Sequence, residues 1–311
     1  MTNKNRKRRE SYRTQEHAGA PARGEPRPSV LGSVFSARGS GSTNMPRVRT
    51  SFVRGLVIVM STPAILVGVV AGVLVIWLGA IAAGFQGPAT IMSMALAMPP
   101  IGILFDFDVT ARVFGTGDTG TLLLGLIPFE IARSVIVGVL LGVSVEILER
   151  ERATRAGIRR GLLASPIVLA VTVIEIGFLF VANILGQIAG QGLALFVQVA
   201  VVAAAIYLLG YAPVAQLRER RGILESLSRS SLAARIPGTS ALAMAMLYAV
   251  PSLFLSTPVG GLGVNPSPMM WVFVLFVNLL HVAVLATYAY RWMCIEDEVP
   301  EPAARRARAR R

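Results

Sequence analysis

Four polar residues sit inside long apolar runs, where only a chemical or structural need would keep them. Glu175 falls in VTVIEIGFLF, and Asn183 follows eight residues later, about two helical turns along the same face. Asn278 and His281, at i and i+3, fall in a second run, WVFVLFVNLLHVAVL. An ionisable side chain at the centre of a bilayer costs about 2.5–3.5 kcal/mol on insertion scales, so it needs a partner or a task. Glu175 and His281 fall at comparable depth in their runs and can pair as carboxylate and imidazole. Two readings follow: a site in a helix bundle that handles protons or cations, or a structural hydrogen bond between helices.

A second group carries mixed charge. Glu130 and Arg133 stand at i and i+3 just after Pro128, a spacing that pairs them on one helix face. The segment before them supplies Asp106, Asp108, Arg112 and Asp118. Beside a polar cavity such a cluster can bind an ion or a polar ligand. The plainer reading is that Glu130 neutralises Arg133 and the aspartates mark an outer surface. Asp106-x-Asp108 alone falls short of the six or so oxygens that calcium needs. With two histidines and Cys294 as the lone cysteine, neither a disulfide framework nor a Cys/His metal cluster is expected. The sequence lacks GxxxxGK[ST], HExxH and GxSxG, and no cofactor is implied. Catalysis is therefore the least supported reading.

The elements that position these residues follow from composition. The chain has 311 residues, of which 54% are hydrophobic and 15% charged, and its mean hydropathy is +0.63. Soluble domains carry roughly a quarter charged residues, so the expected solvent is lipid. The net charge of +13 gathers in tails and short loops, the pattern of the positive-inside rule rather than of nucleic-acid binding. Anionic lipid is the expected partner of these basic loops and tails, along with membrane proteins or further copies of the chain.

The expected fold is all-α: a polytopic bundle of six transmembrane helices plus a short re-entrant or interfacial segment. The spans are read at Leu56–Gly84, Leu122–Leu148, Leu162–Leu185, Leu193–Ala215, Gly238–Ser256 and Met269–Tyr290. The first is longer than a bilayer requires, and Pro63 marks a change of direction after a stretch lying along the surface. Gly68 and Gly72 form a small-xxx-small motif for close helix contact. Residues 91–105 are apolar but hold Pro99-Pro100, so they are read as re-entrant or interfacial, broken backbone being tolerable where protein buries it.

Charge sets the orientation. With six spans and the N-terminus inside, loops 149–161 and 216–236 hold ten arginines on the inner side, whereas segments 85–121, 186–192 and 257–268 hold one basic residue, Arg112. A full crossing by 91–105 would break that asymmetry. Residues 1–44 form a polar, basic tail expected to be disordered, 45–293 the six-helix domain, and 294–311 a charged cytoplasmic tail; Met45 is a second candidate for the natural start. Lysine occurs only at positions 4 and 7, an arginine bias that suits a GC-rich prokaryotic genome. Trp77, Trp271, Tyr288, Tyr290 and Trp292 fall near span ends, where amphipathic rings favour the interface.

Three basic lead-ins run into a proline near the start of a hairpin: Arg54-Gly55-Leu56 before Pro63, Arg160-Gly161-Leu162 before Pro166, and Arg229 to Arg235 before Pro237. The last lies in RERRGILESLSRSSLAARIP, a basic, amphipathic segment ahead of a late hairpin. It resembles the six-helix domains of uncharacterised prokaryotic membrane proteins, such as the glycerophosphodiester phosphodiesterase-associated membrane domain. The resemblance covers spans three to six, carries no catalytic motif, and implies a membrane-embedded helper or permease-like role. Overall, a non-enzymatic component of a membrane assembly in the cell membrane leads, with a permease subunit or proton-coupled carrier as the alternative and an intramembrane enzyme last.

Overall fold

The computed structural model describes residues 45–82, 95–96, 119–151, 153–189, 191–236, 240–256 and 268–299, and all its regular elements are helices. They are α1 (Val48–Ser61), α2 (Pro63–Ala82), α3 (Thr119–Arg150), α4 (Arg155–Ala189), α5 (Gln191–Leu209), α6 (Ala212–Glu219), α7 (Ile223–Ala234), α8 (Ala241–Ser256) and α9 (Pro268–Ile295). The basic tail 1–44, the Pro-Pro pair, and Asp106, Asp108, Arg112 and Asp118 lie outside the described residues.

The chain turns at Pro63, as its sequence predicts. Thr62, forced out of the helical region by the following proline, is extended at φ −112°, ψ 100°, and α1 and α2 meet at 83°. Gly55 lets α1 lie against α9: a Cβ there would stand 3.0 Å from the Thr287 backbone nitrogen. On α2, Ile65, Val69, Val73 and Ile76 are buried at helical spacing, whereas Val67, Val75 and Leu78 are more than half exposed. Gly68 and Gly72 face Leu140 and Ile136 of α3, so that motif is a helix contact.

The closest approach of backbones seen at these glycines joins α3 to α4. A Cβ on Gly138 would stand 2.7 Å from the Gly161 carbonyl oxygen, and one on Gly142 would stand 2.6 Å from the Gly161 Cα. Gly157, one turn before Gly161, faces the Val143 Cα in the same way, at 3.1 Å. Two glycine pairs at i, i+4 thus interlock and let the helices touch main chain to main chain.

Lipid as solvent explains the surface. Leu163, Ile188, Phe196, Met269 and Val272 are all more than half exposed, a cost in water and none in hydrocarbon. Four helical stretches are long and apolar enough to cross a membrane: Glu130–Arg150, Arg155–Glu175, Val199–Glu219 and Trp271–Ile295. Among the described residues the bent α1–α2 pair makes a fifth if it is counted as one broken span rather than as a re-entrant loop. The fifth expected span, Gly238–Ser256, is only partly described: α8 has 16 residues, about 24 Å of helix, short of the roughly 20 residues a crossing takes.

Two boundaries differ from expectation. The fourth span breaks at Gly210, between α5 and α6, where a Cβ would stand 2.9 Å from the Tyr288 ring. Ser230 of α7 bridges the break, donating to the Leu208 carbonyl (2.7 Å) and accepting from the Tyr211 N–H (3.2 Å). The tail read from 294 onwards begins folded: Ile295 and Val299 are buried in the core, and Arg218 grips Glu296 at 2.6 Å.

Candidate functional site

Within the bundle, α3 and α4 bring four polar side chains together. Arg133 is fully buried. Its Nε donates to Glu130 at 2.6 Å, and its Nη2 donates to the Thr172 hydroxyl at 2.6 Å. The i, i+3 pair expected from sequence is therefore made, and it is buried inside the protein. The glycine seam explains why a guanidinium on α3 reaches a hydroxyl on α4. Thr172 and Glu175 share one face of α4, a turn apart, and Glu175 lies in the electrostatic range of both Arg133 and Glu130. Its side chain is buried, and its Oε2 finds no hydrogen-bond partner among the described residues. Burying a charge or polar group without a partner is costly, so this carboxyl is the strongest candidate for chemistry in the bundle.

The Glu175 Oε2 makes no hydrogen bond to His281. His281 is buried, and its Nδ1 shares a hydrogen bond with the Tyr248 hydroxyl at 3.0 Å, across α8 and α9. The Tyr288 phenol also lies in the electrostatic range of Glu175. The side chain of Asn183 lies outside the described residues.

Asn278 has a different task. Its Oδ1 accepts the Leu96 backbone N–H at 2.8 Å, and its Nδ2 donates to the Val274 carbonyl one turn earlier at 2.8 Å. Ala95 and Leu96 form a turn that is buried in the bundle. A non-helical N–H in an apolar interior needs an acceptor, and Asn278 supplies it.

At the opposite end of α9 a second buried guanidinium ties the chain together. Arg291 is fully buried and donates to the Pro46 carbonyl (3.2 Å), the Ser51 hydroxyl (3.3 Å) and the Tyr211 hydroxyl (3.3 Å). Tyr211 packs edge-on against Tyr288, with Trp292 beside it at 5.7 Å between centroids. Tyr288 and Trp292, expected at the membrane interface, are thus buried in the bundle. Tyr290 lies beneath the Arg54 guanidinium at 4.7 Å. Trp77 and Trp271 stack edge to face at 5.0 Å.

At the end of α3, Glu146 and Glu149 have different partners. Glu146 is buried and caps the start of α4, accepting from the Thr154 N–H (3.0 Å), the Gly157 N–H (2.7 Å) and the Thr154 hydroxyl. Glu149 joins Arg160 at 2.7 Å and also binds Arg218. Thr154 just ahead of a helix was the available cue to the cap, but the acceptor comes from the preceding helix, not from the local sequence. Among the described residues, no group of three or more His, Cys, Asp or Glu could hold a metal ion.

Removing one partner of a buried ion pair costs more than replacing both. Arg133→Met should destabilise the protein by about 3–5 kcal/mol, because it strands Glu130 inside the bundle. Adding Glu130→Gln should recover much of that loss. Melting of the purified variants in detergent checks this; equal melting of the single and double variants contradicts it.

No family model matches the chain, no curated protein matches it, and no solved structure matches it.

Proposed function

We propose that the chain is a six-span integral membrane protein with both termini in the cytoplasm, working as a helical component of a membrane assembly rather than as an enzyme. One observation carries the topology: four separate arginine-bearing stretches meet at one end of the bundle. Arg291 holds residues 46 and 51. Arg218 joins Glu149 of α3 to Glu296 beyond α9. Arg229 of α7 binds the Val299 carbonyl and, at 3.1 Å, that of Glu296. A chain that returns three times to its starting end makes an even number of crossings, and positive charge favours the cytoplasmic side. The Leu96–Asn278 bond supports a re-entrant segment between the first two spans. Exposed apolar side chains on α4 and α5, Ile188 and Phe196 among them, suit lipid or a partner helix. The resemblance of the arginine-rich segment to six-helix helper domains fits an accessory role.

Single cysteines in a Cys294→Ser background test the topology. A membrane-impermeant maleimide should label Gln191→Cys and Asn265→Cys in intact cells, and Arg155→Cys only after permeabilisation. Labelling of Arg155→Cys in intact cells would overturn it. Crosslinking in native membranes before mild solubilisation tests the assembly: stoichiometric partners support it, and a lone monomer contradicts it.

The Glu175 carboxyl favours one further reading, a proton-coupled carrier. A buried carboxyl beside a bound guanidinium can take up and release a proton as the local field changes. Under an imposed potential, proteoliposomes of the wild type should then carry a proton flux that Glu175→Gln removes at equal protein content. Equal flux in both removes this reading.

A further inference from the structure

At the arginine-rich end, α4 and the end of α6 enclose a groove of about 570 Å3. Arg159 and Arg160 line it from α4, and Arg220 and Arg221 from the residues that close α6. The four are not equivalent. Arg160 is held by Glu149 at 2.7 Å, and Arg221 by Glu219 and, at 2.7 Å, Glu225. Arg159 and Arg220 are exposed and enter no ion pair among the described residues.

The backbone fixes where Arg220 stands. It is the C-cap of α6 in the left-handed region, φ 52°, with its N–H donated to the Gln216 carbonyl at 2.8 Å. A non-glycine residue in that conformation is uncommon, and here it sets a guanidinium on the groove wall. On the membrane side, the groove runs onto Leu163, an apolar side chain that is 69% exposed.

We infer that this groove binds the headgroup of an anionic glycerophospholipid. The uncompensated guanidinium groups of Arg159 and Arg220 meet the phosphodiester with charge-assisted hydrogen bonds. The acyl chain descends along Leu163. Basic pockets at the cytoplasmic edge of helical membrane proteins recognise anionic headgroups by this chemistry. A free phosphate would meet the same arginines but would leave Leu163 uncovered, so a lipid is the occupant that uses every wall. The inference rests on the reading above only in setting the arginine-rich end at a bilayer surface.

The test uses the full chain in nanodiscs of mixed phosphatidylcholine and phosphatidylglycerol, with the lipid retained after release read by native mass spectrometry. The wild type should keep phosphatidylglycerol over phosphatidylcholine. Arg159→Gln with Arg220→Gln should lower that preference roughly 30-fold. Arg49→Gln with Arg235→Gln, which removes the same charge from exposed positions elsewhere, should keep it. Millimolar inorganic phosphate should not displace the lipid. Equal preference in the two double variants, or no preference in the wild type, overturns the site while leaving the membrane topology standing. Displacement by inorganic phosphate overturns the lipid as its ligand. A protein that fails to enter nanodiscs overturns the membrane reading itself.

Discussion

The main-chain contact between α3 and α4 sets the rest of the bundle. In hydrocarbon, helices gain little from burying apolar surface against each other, and association depends on close packing and on satisfied polar groups. Gly138 and Gly142 on one helix and Gly157 and Gly161 on the other remove the side chains that would hold the axes apart. Glu146 then reaches across to cap α4 through Thr154 and Gly157. Farther along the same pair, Arg133 meets Thr172. Wider spacing would take Thr172 out of reach of that guanidinium.

The bundle also accounts for its broken backbone. Water is absent from a bilayer core, so each interruption of a helix needs a side chain to answer it. Asn278 answers the turn at Leu96, and Ser230 answers the break at Gly210. Arg291 accepts the same duty at the chain's entry, holding the Pro46 carbonyl. Polar residues that look functional in sequence are thus divided between structural service and candidate chemistry. Asn278 belongs with the first, and Glu175, without a hydrogen bond among the described residues, belongs with the second.

What could be read from sequence was whatever depends on composition and local pattern. Lipid as solvent, helical class, the turn at Pro63 and the Glu130–Arg133 pair all rest on neighbours a few residues apart. Side-chain partners across helices were not legible, since they depend on how each helix is rotated about its axis. His281 therefore went to Tyr248, and Tyr288 and Trp292 turned inward rather than to the interface. The glycine seam carried a legible signal, two glycine pairs at i, i+4 on either side of a short loop. Its weakness lies in how common such spacings are, as Gly68 and Gly72 also show.

The most direct measurement compares Gly142→Val with Gly79→Val in thermal unfolding of the detergent-purified protein. Both put the same side chain on an apolar helix, but a Cβ at Gly79 meets nothing within 4 Å, whereas one at Gly142 meets the backbone of α4. Overpacking of this kind costs about 1–3 kcal/mol, so Gly142→Val should melt roughly 2–6 °C below wild type, with Gly79→Val close to it. If the two variants melt together, α3 and α4 do not meet through their glycines, and the placement of Arg133 against Thr172 fails with that contact.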